Sequence, residues 1–204
     1  MAARLKRSLD VVASALVLAL LSPLLCALAL AVRLSSPGPL LYRQKRLGLD
    51  GVPFVILKFR TMFLNCEDIR NKDGSTYNGE DDPRVTKIGR WLRKTSLDEL
   101  PQFWNVIRGE MSVVGPRPDQ VDQLRYYTAP EDQLKLRMRP GITGLAQISG
   151  RNRLSWERRR QMDREYVRCW SLSLDIRILW KTIPYVLLRK DIHIEQQEHS
   201  SEWA

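Results

Sequence analysis

Two adjacent carboxylates stand at the start of a segment whose residue types favour a helix. Residues 96–102 read Ser-Leu-Asp-Glu-Leu-Pro-Gln. A serine followed three residues later by a glutamate, here Ser96 and Glu99, is typical of a capping box at a helix N-terminus. Pro101 fits the same position, because proline is tolerated in the first helical turn. We therefore expect Asp98 beside the N-terminus, where backbone N–H groups and the helix dipole favour the ionised carboxylate.

An ionised carboxylate held in this way can act as a nucleophile or as a magnesium ligand. The apolar residues of the segment recur at helical spacing and predict a buried stripe of Leu97, Leu100, Trp104 and Ile107. Asp98 would then share an outward face with Gln102 and Asn105. The alternative is that Asp98 and Glu99 serve only the helix end, since acidic residues are common in first helical turns.

Two arginines stand out beside this pair. Arg93 is the arginine nearest to it in sequence, and Arg117 lies between two prolines in Gly115-Pro116-Arg117-Pro118. The prolines restrict the backbone, so Arg117 would lose little freedom on binding. An arginine can hold a phosphate with two hydrogen bonds. The alternative is an ordinary turn with an exposed arginine.

The segment Arg139–Arg153 combines three glycines with short polar side chains, among them Thr143, Gln147 and Asn152. Bare backbone and small polar groups suit a nucleotide or a sugar. The segment is not a Walker A motif, because no Gly-Lys-Ser/Thr follows. It is not a dinucleotide fingerprint either, because the glycine spacing is wrong.

The overall charge of the chain indicates an anionic partner. Its 204 residues include 33 Lys and Arg against 23 Asp and Glu, a formal net charge of +10. Nucleic acid, an acidic membrane surface or a phosphorylated substrate would satisfy this excess. The three cysteines are far apart, which excludes a disulfide framework. Both histidines, His193 and His199, lie near the C-terminus, which argues against histidine-based catalysis in the body of the chain.

The N-terminal segment predicts a membrane helix with a break in its middle. Residues 11–32 carry no charge and would extend about 33 Å as a helix, against a hydrocarbon core of about 30 Å. Basic residues flank both ends, and such residues prefer the cytoplasmic side. Proline at 23 removes a helical hydrogen bond, and the Ser22 hydroxyl can satisfy a freed carbonyl. We favour a kinked re-entrant helix broken at Ser22 and Pro23 over a straight span. A cleaved signal peptide does not fit, since Arg33 closes the apolar run.

The remaining chain predicts a hairpin and several helices. Strands are expected over Leu40–Arg46 and Phe54–Arg60, with a turn between them. Further helices are expected over Val85–Lys94, with Ile88, Trp91 and Leu92 inward, and over Ser155–Cys169 and Ser171–Arg189. The last helix has one apolar face that lies either on a bilayer or against the core, formed by Leu172, Ile176, Leu179, Trp180, Ile183 and Leu187.

These elements give an α+β, mostly helical fold class: a kinked re-entrant membrane helix, a small β-hairpin, and amphipathic helices at the membrane interface. The expected organisation is a re-entrant helix over residues 1–36, a membrane-associated catalytic domain over 37–190, and a flexible tail over 191–204. Residues 71–83, polar and acidic, are expected to form a mobile loop.

Five segments, in the same order along the chain, resemble the bacterial sugar transferases, also called monotopic phosphoglycosyl transferases. They are the N-terminal helix with Ser22-Pro23, Lys58-Phe59-Arg60-Thr61-Met62, the heptapeptide 96–102, Gly115-Pro116-Arg117-Pro118, and residues 139–147. Each motif alone is weak, but five in order are specific. The resemblance covers nearly the whole chain.

This resemblance implies an enzyme at the cytoplasmic face of the bacterial inner membrane. Such enzymes transfer a sugar-1-phosphate from a UDP-sugar to undecaprenyl phosphate or another polyprenyl phosphate, and they release UMP. The family's nucleophilic aspartate corresponds to Asp98, which would form a covalent phospho-sugar intermediate. Glu99 would hold Mg²⁺ as the cofactor. Phosphates and donor would be bound by Arg60, Arg93, Arg117, Gln147, Arg151 and Asn152.

Two other classes compete with this interpretation. A non-catalytic membrane-surface adaptor that binds acidic lipid would explain the charge and the amphipathic helices, and would leave Asp98 and Glu99 only a capping role. A nucleic-acid-binding protein is disfavoured by the apolar N-terminus and by the lack of a basic recognition helix. The sequence leaves open the donor sugar, the pathway and whether the chain forms a homodimer.

Overall fold

The fold is mostly helical, with two small two-stranded sheets. The computed structural model describes residues 2–67, 69, 77, 79, 81–150 and 154–188. Its helices are α1 (Ala2–Leu20), α2 (Ser22–Ser35), α3 (Lys87–Thr95), α4 (Gln102–Arg108), α5 (Pro130–Gln133), α6 (Leu145–Ile148), α7 (Trp156–Arg168) and α8 (Leu172–Leu187). Its strands are β1 (Leu41–Leu47), β2 (Pro53–Phe59), β3 (Ser112–Val114) and β4 (Gly141–Thr143). The predicted α+β, mostly helical class is confirmed. The predicted tail, and residues 71–76, 78 and 80 of the predicted acidic loop, lie outside the described residues.

Helices α1 and α2 meet at the predicted break, where they are bent by 65°. Pro23 stands in the first turn of α2, where its missing N–H is tolerated. Ser22 Oγ donates to the carbonyl of Ala19 at 2.8 Å, as predicted. Among the described residues no single helix is long and apolar enough to cross a membrane, although the bent pair together meets that criterion. The break is confirmed, and how the pair lies in a bilayer stays a prediction.

Helix α1 turns a polar stripe inward and its apolar residues outward. Lys6, Asp10 and Ser14, spaced four residues apart, are buried. Lys6 Nζ donates to Asp175 Oδ2 of α8 at 2.7 Å. Asp10 Oδ2 accepts from Ser112 Oγ of β3, also at 2.7 Å. The exposed residues of α1 include Leu5, Leu9, Val12, Leu16 and Leu20. This is the reverse of a helix that packs on a core and faces water.

Strands β1 and β2 form the predicted antiparallel hairpin, in a register that sets Tyr42 opposite Lys58. Their connection contains Asp50 (φ 54°) and Gly51 (φ 75°), two residue types that adopt left-handed backbone angles more readily than most. The hairpin prediction is therefore confirmed with its turn.

The side chain of Asn105 fixes β2 against α4. Its Nδ2 donates to the Val55 carbonyl at 2.7 Å, and its Oδ1 accepts from the Leu57 N–H at 3.0 Å. Asn105 and Gln102 are both buried, so their predicted outward position is wrong. The polar face of α4 points inward because it supplies hydrogen bonds to a strand edge.

The predicted inward faces of α3 and α4 hold for aliphatic residues but not for tryptophans. Leu92 is fully buried in a cluster with Leu28, Val32 and Phe59, and Ile88, Leu97 and Leu100 pack against that cluster. Trp91 and Trp104 are 46% and 52% exposed. Helical periodicity placed both indoles in the core, and the structure leaves both at the surface.

Helices α7 and α8 begin at the predicted serines. Ser155 and Ser171 accept hydrogen bonds from the N–H groups of Arg158 and Leu174. Both helices pack on the parallel pair β3–β4 through a core that contains Val114, Ile148, Tyr166 and Ile178. The apolar face predicted for α8 stays exposed at Ile176, Leu179, Trp180 and Ile183. Packing of these four residues in the core is thus wrong, and their contact with a bilayer stays a prediction.

Candidate active site

The turn that carries Asp98 connects α3 to α4. Helix α3 ends at Thr95, and the next residue, Ser96, has a left-handed backbone (φ 56°) that redirects the chain. A 3-10 turn follows over Leu97–Glu99, and α4 begins only at Gln102. The Ser96 side chain makes no capping hydrogen bond to the turn. The predicted capping box is therefore wrong, although a helical turn at this place is correct.

Asp98 is buried, with 9% of its surface exposed, and does not face outward as predicted. Burial raises its pKa to about 6, against the favourable charge of Lys58; the adjacent Glu99 raises it further, and Arg93 opposes the rise. The ionised form of Asp98 is therefore stabilised by Lys58 and Arg93, and not by a helix N-terminus as predicted. Two cations partly offset a costly burial, and the carboxyl is mainly ionised at neutral pH.

Lys58 forms an ion pair with Glu99 in the site. Its Nζ lies 2.7 Å from Glu99 Oε1, and both side chains are about one-fifth exposed. Lys58 comes from the hairpin strand β2, and Glu99 comes from the turn after α3. The sequence pattern predicts Lys58 only as one of the charges of a basic hairpin near the membrane, because Lys58 and Glu99 are brought together by the fold.

Arg93 connects α3 to the segment after β2. Its Nε donates to Thr61 Oγ1 at 2.9 Å. Burial lowers the pKa of Arg93, whereas the charges of Asp98 and Asp82 raise it. Arg93 thus lies close enough to Asp98 for the two charges to act on each other. Its contact with a phosphate stays a prediction.

Two glutamines are buried with amide atoms that bond nothing in the described part of the chain. They are Nε2 of Gln102, one turn after Asp98, and both Nε2 and Oε1 of Gln147. Gln147 lies against Gly144, where an added Cβ would stand 2.8 Å from its Oε1. An unmade hydrogen bond in a buried place costs about 1–3 kcal/mol. A polar ligand would offset this cost, which fits the predicted donor role of Gln147.

The other predicted site residues make their contacts with different parts of the fold or lie beyond the described ranges. Arg60 is buried, and its guanidinium donates to the carbonyls of Ser36, at 2.7 Å, and of Pro37. These contacts tie the end of α2 to the hairpin, and a donor-binding role for Arg60 stays a prediction. Arg117 lies in the turn after β3, and its N–H donates to Asp163 Oδ1 at 3.4 Å. Arg151 and Asn152 lie outside the described residues.

Protein ligands alone do not make a metal site here. The described residues contain no group of three or more His, Cys, Asp or Glu side chains placed to hold a metal ion. Magnesium, however, is commonly held by one or two carboxylates together with substrate phosphates. Asp98 and Glu99 fit that smaller requirement, with Lys58 as a competitor for one Glu99 oxygen.

The chain is similar to several known bacterial proteins, including two that have the same name. The chain is 48% identical over 191 residues to the UDP-glucose:undecaprenyl-phosphate glucose-1-phosphate transferase of Escherichia coli, which covers 88% of this chain and 39% of the relative. It is 48% identical over 189 residues to the protein of the same name from Caulobacter vibrioides, 89% and 69% of the two chains. It is 46% identical over 196 residues to the exopolysaccharide production protein ExoY of Rhizobium meliloti, 91% and 86% of the two.

The share of each relative that the chain covers differs. The chain spans less than half of the Escherichia coli protein. The model of the bacterial sugar transferase family matches most of this chain, residues 1–189 of the 204. That range contains both helices of the bent pair, the hairpin and the turn with Asp98. The chain therefore belongs to the bacterial sugar transferase family.

Proposed function

We propose that the chain transfers a sugar-1-phosphate from a UDP-sugar to undecaprenyl phosphate, a polyprenyl phosphate, and releases UMP. The observation that carries the proposal is the buried Asp98 beside Glu99, with Lys58 and Arg93 acting on its charge. A buried carboxylate with nearby cations suits a nucleophile that must receive an anionic substrate. The names of the relatives support this substrate pair.

The proposed reaction has two displacements at one phosphorus. In the first, an oxygen of Asp98 bonds to the phosphorus that carries the sugar, and the bond from that phosphorus to the bridging oxygen breaks. UMP leaves with the electron pair, and the sugar-phosphate stays on Asp98. In the second, an oxygen of the lipid phosphate bonds to the same phosphorus, and the bond to Asp98 breaks. The product is a polyprenyl diphosphate-linked sugar, and Asp98 is again a free carboxylate.

The charges of the site address the main obstacle to this chemistry. Two unit negative charges about 4 Å apart repel by roughly 4 kcal/mol at an effective dielectric constant of about 20. Lys58 and Arg93 lie close enough to Asp98 to lower its pKa against the effect of burial. The same two cations would attract a diphosphate to the carboxylate and stabilise charge on the transferred phosphoryl group.

Magnesium is the proposed cofactor, with Glu99 as its main protein ligand. When bound, the ion would neutralise charge on the diphosphate. Glu99 accepts from Lys58 at 2.7 Å, so the carboxylate is held in place beside Asp98. Arg93 and Arg117 remain the proposed phosphate contacts, and Gln147 is the proposed donor contact with an unpaired buried amide.

The bent pair supports a monotopic location at the cytoplasmic face of the inner membrane. The first turns of α1 contact the body of the chain through Lys6 and Arg7, which bond Asp175 and the carbonyl of Val106. The end of α2 contacts the same body through Arg60. Both ends of the pair therefore contact the same body of the chain, which supports a re-entrant helix. Exposed leucines on both helices and the apolar face of α8 would lie in lipid.

The proposal is tested by UMP release from a panel of UDP-sugars with undecaprenyl phosphate in detergent. We expect the wild type to release UMP with at least one donor, and Asp98→Asn to release none while it keeps its fold and binds vesicles. Asp50→Asn, on the exposed hairpin turn, is the matched control and should stay active. Lipid product from Asp98→Asn would contradict the nucleophile. Vesicle binding without turnover by the wild type would favour a membrane adaptor.

A further inference from the structure

A second group of cations lies away from Asp98, where three segments meet. Arg46 is the last but one residue of β1, and its Nη1 donates to the Pro118 carbonyl at 3.4 Å. It therefore lies beside the turn that contains Arg117. The N–H of Arg117 donates to Asp163 of α7, and Arg159 precedes Asp163 by one helical turn on the same face. Arg46, Arg117 and Arg159 thus converge, and we refer to them as the arginine cluster.

The carboxylates beside the arginine cluster, Asp119 and Asp163, share another cation. Lys135 is buried, and its Nζ lies 2.8 Å from Asp119 Oδ2 and 2.8 Å from Asp163 Oδ2. Tyr127 OH also donates to Asp119. The remaining carboxylate that acts on Arg46 is Asp122, which is exposed. The three guanidinium groups and Lys135 together carry one positive charge more than Asp119, Asp122 and Asp163.

Two members of the arginine cluster have no partner for their side chains. In the described part of the structure, the guanidinium groups of Arg117 and Arg159 make no hydrogen bond and no ion pair, and Nε of Arg159 is buried. Burial and the charge of Arg117 lower the pKa of Arg46 to about 10, and the same two causes lower the pKa of Arg159. Arg117 thus disfavours the charged forms of both Arg46 and Arg159, while Asp119 and Asp163 favour that of Arg159. An anion placed between the three arginines would relieve the repulsion.

The hairpin gives the position of this cluster relative to the candidate nucleophile. Side chains of a strand alternate, so Tyr42, Gln44 and Arg46 share one face of β1. Tyr42 stands opposite Lys58, which binds Glu99 at 2.7 Å. Four residues of strand span about 13 Å. The backbone of Arg46 therefore lies about that far from the backbone of Tyr42, which is opposite Lys58. The two cationic groups are therefore neighbours along one strand face and not a single site.

We propose that Arg46, Arg117 and Arg159 form a second phosphate-binding site, which takes either the phosphate of the polyprenyl lipid before it reacts at Asp98 or the phosphate of UMP after it has left. The proposal rests on the proposed function for the identity of the substrates. The phosphate belongs either to the nucleotide or to the polyprenyl lipid, and both sources offer the same oxygen acceptors to a guanidinium fork. Arg159 and Arg46 are the new residues, and Arg117 is shared with the proposed donor contacts.

The test compares Arg159→Gln with Arg158→Gln. Both variants remove one arginine from neighbouring positions on α7, but Arg158 is exposed and donates to Gln161. Binding of UMP and of a short-chain polyprenyl phosphate is measured by titration calorimetry in detergent, without turnover, and the Tm of each variant is measured without ligand. We expect Arg159→Gln to weaken one of the two ligands about tenfold or more. We expect Arg158→Gln to weaken neither.

The ligand that weakens identifies the source: UMP indicates the nucleotide, and the polyprenyl phosphate indicates the lipid. The ligand-free Tm of Arg159→Gln should be unchanged or higher, because the variant removes a repelled cation that has no partner. Changes below twofold for both ligands would overturn the proposal, and so would an equal loss in Arg158→Gln or a weakening accompanied by a lower Tm. Because these arms need no turnover, the proposed function and the second site can fail separately.

Discussion

Lys58 Nζ lies 2.7 Å from Glu99 Oε1, and this contact joins the hairpin to the turn that carries the candidate nucleophile. Lys58 is also the cation that most strongly opposes the raised pKa of Asp98. One side chain therefore positions Glu99 and tunes Asp98. The relationship connects residues 41 positions apart in sequence, and it explains why strand β2 belongs to the site.

The activity of the wild type should fall as pH decreases through about 6. The attacking form of Asp98 is the carboxylate, its pKa is raised to about 6, and each pH unit below the pKa should cost about tenfold in rate. Lys58→Met removes a charge that favours the carboxylate, so its profile should fall at a higher pH. The measurement is the pH dependence of UMP release. Lys45→Met, an exposed lysine of the same hairpin, is the control, and identical profiles for the two variants would contradict the assignment of Lys58.

Asp98→Asn should stabilise the protein at pH 8. The folded-state pKa of about 6 exceeds the ordinary value of 3.8, so the folded protein holds this proton more tightly than the unfolded chain. Stability linked to Asp98 is therefore fully present below pH 3.8 and is lost as pH rises through 6. Asparagine removes this loss, which is of the order of 1–3 kcal/mol.

Thermal unfolding in detergent at pH 8 and pH 4 measures this effect. The gain in Tm for Asp98→Asn should be several degrees at pH 8 and should shrink at pH 4. Asp50→Asn serves as the control, since Asp50 is exposed and asparagine tolerates its left-handed backbone. A variant that is less stable than the wild type at pH 8 would show that burial does not penalise the Asp98 carboxylate.

Glu99→Gln should weaken the binding of magnesium. Removal of divalent ions with EDTA should stop UMP release by the wild type, and added Mg²⁺ should restore it. Glutamine keeps the shape of Glu99 but loses the charge that a hard cation prefers. We expect the Mg²⁺ concentration for half-maximal activity to rise about tenfold, measured in UMP release. An unchanged titration would exclude Glu99 as the main ligand, provided that Asp50→Asn also leaves it unchanged.

The two ends of the bent helix pair should lie on the same side of the membrane. The test places a single cysteine at Ala3→Cys or at Asp50→Cys after the three exposed native cysteines are replaced by serine. A membrane-impermeant maleimide should label neither site in intact cells and both sites in inverted vesicles. Labelling of Ala3→Cys alone in intact cells would mean that α1 and α2 span the bilayer.

Local features of the fold were predictable from sequence because each has a local cause. The break at Ser22 and Pro23 follows from one missing N–H, the hairpin turn from Asp50-Gly51, and the starts of α7 and α8 from single serine caps. Such signals act within a few residues. The sequence therefore predicted the order and type of most elements.

The interior of the site was not predictable because its partners are distant in sequence. The burial of Asn105 depends on a strand edge about 50 residues away, and helical periodicity alone turned its polar face outward. The burial of Asp98 depends on how β2 and α3 pack around the turn. The sequence predicts Arg60 as a donor-binding residue, whereas the structure shows its guanidinium bonded to a carbonyl at the end of α2. Sequence motifs identified which residues carry the chemical groups of the site. Tertiary contacts determine how buried these residues are and what they bind.

The most direct measurement is a search for the covalent intermediate. The wild type is incubated with a UDP-sugar that supports turnover, without the lipid acceptor, and its peptides are mapped by mass spectrometry. The account predicts one sugar-phosphate adduct, on Asp98, which disappears when undecaprenyl phosphate is added and never forms in Asp98→Asn. An adduct on another residue, or lipid product formed by a protein that carries none, would contradict it.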